Sequence, residues 1–399
     1  MLVEAQEARW SAGAAKAAAP PGAAVTRLVL TDFRNYSKAR LDLETGPVVL
    51  TGPNGAGKTN LLEAVSFLAP GRGLRGAKLT EVDRRAIDEG AEAAAVGRPA
   101  WAVAATIATH RGAVRIGTGR AATEADRRVV RIDGEPARGQ AALGEQFGVV
   151  WLTPQMDRLF LEGPGGRRRF LDRLVSALDP AHAGRVAAYE QALRERARLL
   201  REGPADPVWL GALEEVMAAQ GVAVAAARRD AVRRLDHACA ETEGPFPRAR
   251  LAVAGVVEGW LGDMPALAAE AKFAAALAGS RRDDAIAGTT AIGPHRTDLA
   301  VRLAPGGAAA EHASTGEQKA LLISMLLAHA ELRRALRGAT PLLLLDEIAA
   351  HLDASRRLAL FELVARLESQ VWLTGTDEAV FAPLRRQAQF LSVHNGAVV

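Results

Sequence analysis

Gly52-Pro-Asn-Gly-Ala-Gly-Lys-Thr59 follows the apolar run Val48–Thr51 and leads into a helix-patterned stretch, Thr59–Leu68. A strand, a glycine loop and a helix in that order form a phosphate cradle. Small residues let backbone N–H groups turn inward, so Gly52, Gly55 and Gly57 allow the chain to wrap a triphosphate at the helix N-terminus. The nucleotide-binding stretch therefore comprises Gly52, Pro53, Asn54, Gly55, Ala56, Gly57, Lys58 and Thr59, with Asn60 following. Lys58 reaches the β/γ oxygens, and Thr59 supplies a hydroxyl for Mg²⁺. The bland alternative, a glycine turn between strand and helix, ignores how well the flanks fit.

Much further on, Pro341–Leu345 is a buried-strand pattern that ends in Asp346-Glu347. Such a strand delivers two carboxylates to the C-terminal edge of a sheet, where α/β ligands sit. Asp346 is the second candidate for holding Mg²⁺, through water. Glu347 is the candidate general base for the attacking water. Ser314-Thr-Gly-Glu-Gln318 opens another helix pattern, and Ser314 with Gly316 offers an anion-binding end that would cap the γ-phosphate held by a second copy. The same spacing is a capping box, Ser314 with Glu317, and both readings stand. Together the two runs describe half of a composite ATP site, so ATP is expected to drive homodimerisation.

Two further polar positions belong near that edge. Gln155, after the strand pattern Val149–Leu152, is a candidate for touching both Mg²⁺ and the attacking water, with a surface loop as its rival. Leu352-Asp353 is either a dimer-facing loop beside the nucleotide or, at Asp353, the N-cap of the next helix.

The chain has 399 residues, 49% of them hydrophobic, which is enough for a full core and roughly two or three domains. Its single cysteine, Cys239, excludes an internal disulfide, and no Cys/His cluster has zinc-ligand spacing. A reducing compartment, the cytoplasm, is expected. No stretch approaches ~20 uninterrupted apolar residues, and Glu4 and Glu7 interrupt the start, so neither export nor a membrane span is expected. Net charge is +4, and six lysines leave arginine to supply most of the positive charge. That permits nucleic-acid binding without demanding it.

Four segments are expected: an alanine-rich disordered leader over 1–24, the first part of an ATPase head over 25–165, a helical insertion lobe over 166–284, and the rest of the head over 285–399. Strand patterns lie at Arg27–Phe33, Leu41–Leu43, Trp101–Thr109, Val114–Thr118 and Val129–Ile132, with Asp133-Gly134 as a turn. Helical text runs from Gly166 to about Glu241, followed by a strand at Arg250–Val256 and a helix at Met264–Ala278. Strand Asp298–Leu303, helix Ala354–Leu367 and strands Val371–Thr374 and Phe390–Val393 complete the head. The fold class is α/β, a head split by a helical insertion. Arginine doublets recur along the chain. Most read as solvated helix faces, and the run Arg167–Arg169 is the best candidate for phosphate contact. His295 and Arg296 follow the turn Gly293-Pro294, and either meet DNA, nucleotide or a partner or pin the insertion to the head.

On these residues the chain resembles the RecF family of bacterial recombination and gap-repair ATPases, relatives of the SMC-like DNA-repair ATPases. The matching stretches are Phe33-Arg-Asn-Tyr36, Gly52–Thr59, Pro154, Gly166–Asp172, Gly293-Pro-His-Arg296, Ser314–Lys319, Leu342–Asp353 and Leu373-Thr-Gly-Thr-Asp377. The loop and the Asp-Glu pair are generic to the superfamily, whereas Phe-Arg-Asn-Tyr with Gly-Pro-His-Arg is more specific. The resemblance implies that the α/β fold is an ABC-type P-loop ATPase head with a mixed sheet and a helical second lobe, and that Arg34 and Asn35 join the nucleotide site. It also implies slow DNA-stimulated ATP hydrolysis by a nucleotide-bound dimer. Binding at single-strand gaps or duplex junctions would serve RecA loading together with RecR and RecO, and support the SOS response. Thr376 stands where transporter ATPases carry a switch histidine, which argues against the alternative of a transporter subunit. Another SMC-like nucleotide switch is the remaining alternative, and an insertion this short excludes the long coiled coil of a structural SMC protein.

Overall fold

The computed structural model describes residues 22–84, 101–121, 127–203, 206–242, 244–349 and 352–399. These fall into two compact units, one formed by the described residues up to Met156 together with Arg333–Val399, the other by Asp157–Leu332. The second unit takes in more of the chain than the insertion expected over 166–284, and its far boundary falls within the helix Thr315–Arg337. Of the leader expected over 1–24, residues 1–21 lie outside the described residues. Ala23 and Ala24 are buried, and the first strand begins at Ala24.

The first unit opens with strands β1 (Ala24–Phe33), β2 (Tyr36–Asp42), β3 (Val48–Thr51), β4 (Ala102–Thr109), β5 (Gly112–Arg120), β6 (Arg128–Ile132), β7 (Glu135–Pro136) and β8 (Val149–Leu152). Six of these form an antiparallel sheet in the order β2-β1-β4-β5-β6-β7. In β4 every second residue is buried, the period expected of a strand with one face on a core. The strand expected at Leu41–Leu43 is the end of β2, whose Ser37 and Lys38 are exposed and give its earlier half no apolar signal.

The second unit holds β9 (Arg248–Ala254) and β10 (Asp298–Ala304), an antiparallel pair in register from Ala254↔Asp298 to Arg248↔Ala304. Around them lie helices Pro164–Leu178, His182–Glu202, Pro207–Glu241, Val256–Asp263 and Ala266–Gly279. The strand expected over Arg250–Val256 begins two residues earlier and stops at Ala254, where Gly255 leads into a helix that the apolar text had concealed. The helix Pro207–Glu241 contains a window of mean hydropathy 1.3, long and apolar enough by composition to cross a membrane. Its Met217, Val222 and Ala225 pack instead into a core with Tyr189, Ala269, Phe273 and Leu277.

The chain returns to the first unit with β11 (Leu342–Leu345), β12 (Val371–Gly375), β13 (Gln389–His394) and β14 (Ala397–Val398). They combine with β3 and β8 in the order β14-β13-β3-β12-β11-β8. All neighbours are parallel except β13 and β14, so the sheet is mixed. The four residues of β11 are all buried, as a strand covered on both faces requires. Beneath the sheets, Phe33 meets Phe67 and Trp101 edge-on, with centroids 5.9 and 5.5 Å apart. Each such ring contributes about 1.5–3 kcal/mol through burial. Gln370 ties the start of β12 to β1: its amide oxygen accepts from the Val25 N–H at 3.0 Å and the Trp372 indole at 2.8 Å, while its nitrogen donates to Val25 O and Glu44 O. A buried amide with every partner supplied fixes register without leaving an orphaned polar atom.

Candidate nucleotide site

Register places four loops at one sheet edge. Thr51 of β3 aligns with Gly375 of β12, and Leu345 of β11 aligns with Leu373 of β12 and Leu152 of β8. The glycine loop, the Asp346-Glu347 pair, the turn Pro154–Arg158 and Thr376 therefore all leave the sheet in the same direction. Gln155 and Thr376 are both exposed there.

Within the loop, Gly52, Gly55 and Gly57 have φ of 144°, 79° and 118°, a region that side chains disfavour. At Gly57 a Cβ would also sit 2.6 Å from the Tyr36 hydroxyl and 2.7 Å from Asn35 Nδ2. Those two neighbours hold the loop: Tyr36 Oη donates to Gly57 O at 3.1 Å, and Asn35 Nδ2 donates to Ala56 O at 3.2 Å. Asn60 Nδ2 donates to Asn35 Oδ1 at 2.7 Å, linking the first turn of helix Lys58–Ser66 back to the β1–β2 turn. Lys58 is buried, with its ammonium donating to Gly52 O at 2.7 Å and Pro53 O at 2.9 Å. Burial lowers its pKa, against the opposing pull of Glu347 and Asp346.

Arg34 lies one step away from the loop. Its guanidinium grips the fully buried Glu63 through two bonds of 2.8 and 2.7 Å and donates to Glu81 O. Arg75 donates at 2.5 Å to Glu63 Oε2, the oxygen that Arg34 Nε also reaches, and at 2.7 Å to Asn60 Oδ1. A buried carboxylate between two arginines anchors the helix that carries Lys58 and Thr59. Sequence reading did not single out Glu63, because only the fold brings residues 34 and 75 to it.

Asp346 is buried. Thr59 Oγ1 donates to its carboxylate at 3.0 Å from each oxygen, and Thr374 Oγ1 donates to Oδ1 at 2.8 Å. Burial raises the Asp346 pKa, against the lowering effect of these two hydroxyls. Glu347 is half-buried with φ of 53°, and its N–H donates to Thr374 Oγ1 at 2.8 Å. In the sequence Thr374 stands out only as the end of the strand Val371–Thr374 and within the stretch Leu373–Asp377.

Ser314 and Gly316 belong to the second unit. Ser314 Oγ accepts from the Glu317 N–H at 3.3 Å and donates to Glu317 Oε2 at 2.8 Å, which also takes the Ser314 N–H at 2.9 Å. The capping box is thus formed, and Ser314 remains exposed at the start of its helix. Asp353 caps helix Ala354–Arg366: it accepts from the Arg356 N–H at 2.9 Å and Ser355 Oγ at 2.7 Å.

The arginine run expected to meet phosphate is largely internal. Arg167 is bidentate on Asp298 at 2.7 and 2.9 Å, and Arg168 donates to Thr297 O, which leaves Arg169 as the exposed member of the three. Arg228 likewise clamps Asp172 with two bonds of 2.8 Å, and His182 Nε2 lies 2.8 Å from the same carboxylate. His295 and Arg296 both contact Thr290 O, and His295 Nδ1 meets the Tyr189 hydroxyl at 2.7 Å. All of these partners lie within the second unit.

Comparison with known proteins adds a family to this geometry. The family model described as RecF/RecN/SMC N terminal domain matches residues 24–398. A protein named DNA replication and repair protein RecF from Rhizobium rhizogenes is 49% identical over 377 residues, covering 94% of this chain and 98% of the relative. Its namesake from Mesorhizobium japonicum is 48% identical, covering 94% and 97%. Among solved structures, one described as the recombination mediator protein RecF-ATPrS in the RecFOR pathway is similar with a TM-score of 0.79 at 22% identity. It covers 95% of this chain and 98% of that one.

Proposed function

Because the chain belongs to the RecF family of DNA replication and repair proteins, we propose that it is an ATP-dependent DNA-binding protein of recombinational gap repair and replication restart. Its ATPase is slow, DNA-stimulated and mainly a dimerisation switch, working in the cytoplasm at single-strand gaps or duplex junctions. RecR and RecO are its partners in loading RecA and in supporting SOS induction. The RecFOR pathway in the description of the similar solved structure supports that assignment of partners.

The observation that carries this reading is the meeting of Thr59 with Asp346 at the mouth of the glycine loop. Gly52, Asn54, Gly55 and Gly57 present backbone N–H groups to the phosphates of ATP, while Pro53, which has no N–H, and Ala56, whose N–H donates to Pro53 O, shape the turn of the cradle. Lys58 turns from its loop carbonyls to the β/γ oxygens, a short move because those carbonyls line the same cradle. Asn35 and Asn60 keep the loop open, and Arg34 acts through Glu63.

Thr59 and Asp346 fit Mg²⁺. They are oxygen donors only, and the carboxylate is buried, where a nearby cation would offset the cost of its charge. Bound there, Mg²⁺ neutralises charge on the leaving diphosphate. Glu347 orients and deprotonates the attacking water, assisted by Gln155, while Ser314 and Gly316 of a second copy cap the γ-phosphate. Asp353 and Thr376 border the site.

The test is ATP hydrolysis by the purified chain with no DNA, duplex DNA and gapped DNA. Turnover that rises several-fold with gapped DNA supports the reading. Turnover that is indifferent to every DNA rejects it.

A further inference from the structure

Thr374 is 1% exposed on β12, between β3 and β11, and its one hydroxyl carries two bonds to consecutive residues of another strand's end. Because a backbone N–H can only donate, the Glu347 N–H fixes the Thr374 oxygen as its acceptor. The hydroxyl hydrogen is then free to reach Asp346 Oδ1, 2.8 Å away. Both roles of the hydroxyl are used, so the side chain has a single orientation.

The backbone it holds is unusual. Glu347 is one of five described non-glycine residues at positive φ, a strained conformation that persists where the surroundings impose it. Ile348 and Ala349 follow as buried residues, so the chain turns back into the core directly after Glu347. The left-handed turn lets Asp346 stay buried beside Thr59 while Glu347 is only half-buried. Without the Thr374 oxygen, the Glu347 N–H would lose the only partner shown for it.

We infer that Thr374 is the positioning residue of the hydrolytic step, its hydroxyl locking Asp346 and Glu347 into one geometry. This rests on the reading of Glu347 as the base and deepens it. Thr374 does not reach the nucleotide cradle's own hydrogen bonds, which run from Tyr36, Asn35 and Lys58. Binding and turnover should therefore separate when the hydroxyl is removed.

The experiment compares wild type, Thr374→Val, Thr374→Ser and Thr374→Cys in the full chain. It measures kcat and KM for ATP with gapped DNA, and affinity for a fluorescent ATP analogue. Thr374→Val keeps the side-chain shape and is expected to lower kcat about 10- to 100-fold, the range for loss of a supporting partner, with KM and analogue affinity within about threefold. Thr374→Ser restores kcat to within about threefold of wild type. If Thr374→Val does not fold, Thr374→Cys, with its weaker donor and acceptor, takes its place and is expected to fall well below Thr374→Ser. Equal kcat in all variants overturns the inference, as does a loss in which KM rises while kcat stays fixed. A wild type with no hydrolysis at all overturns both the inference and the reading beneath it.

Discussion

Thr59 Oγ1 lies 3.0 Å from both carboxylate oxygens of Asp346, although 287 positions separate the two residues in the chain. The contact closes the α/β core of the first unit at the place where the glycine loop begins its helix. Asp346→Asn keeps the shape but removes the charge that would hold a divalent cation. Hydrolysis should fall by at least about 100-fold, and removal of Mg²⁺ with a chelator should reduce wild type to the same level. A coupled phosphate-release assay checks both arms.

Gly57 has both a positive φ and no room for a side chain. Gly57→Ala would push a methyl group against Tyr36 and Asn35, the two residues that hold the loop. ATP affinity should drop by more than about tenfold and stability by about 1–3 kcal/mol, the range for strain combined with overpacking. Titration with a fluorescent analogue and urea unfolding measure the two effects.

Asp172 offers a pH test of the second unit. Burial tends to raise its pKa, but hydrogen bonds from His182 and Arg228 outweigh that and hold it at about 2, below its ordinary 3.8. A depressed carboxylate stabilises the fold above its unfolded pKa and loses that contribution as pH falls through the folded one. About 2 kcal/mol should therefore disappear between roughly pH 4 and pH 2. Urea unfolding across that window should show the loss in wild type, and Asp172→Asn should lack this component while being less stable at pH 7.

Much of this architecture was legible in the amino-acid order because its signals are local. Val48–Thr51 before a glycine loop, four leucines before Asp346, and alternation through Trp101–Thr109 each declare an element within a few residues. The capping box at Ser314 and the N-cap at Asp353 were visible for the same reason. What stayed hidden depends on pairing across the fold. Arg34 is assigned to the nucleotide site by resemblance, and only the fold shows its guanidinium on Glu63 and Glu81 O. Arg167 reads as a phosphate-seeking charge, and Arg228, in the doublet Arg228-Arg229, as a solvated one, but Asp298 and Asp172 face them only once the second unit has folded. Helix Val256–Asp263 was missed because Val256 and Val257 prolong the apolar text of the preceding strand, Leu251–Ala254, and only Gly255 marks the break. Thr374 escaped notice since a single threonine in a buried strand carries no pattern of its own.

The proposed composite site requires ATP to join two copies of this chain, each supplying Ser314 to the other's phosphates. Sedimentation velocity on the Glu347→Gln protein, with ATP, with ADP and without nucleotide, tests it most directly. A dimer is expected with ATP and not with ADP or without nucleotide, reduced to monomer by adding Ser314→Arg. A protein that stays monomeric at saturating ATP, or dimerises equally well with Ser314→Arg, would contradict it.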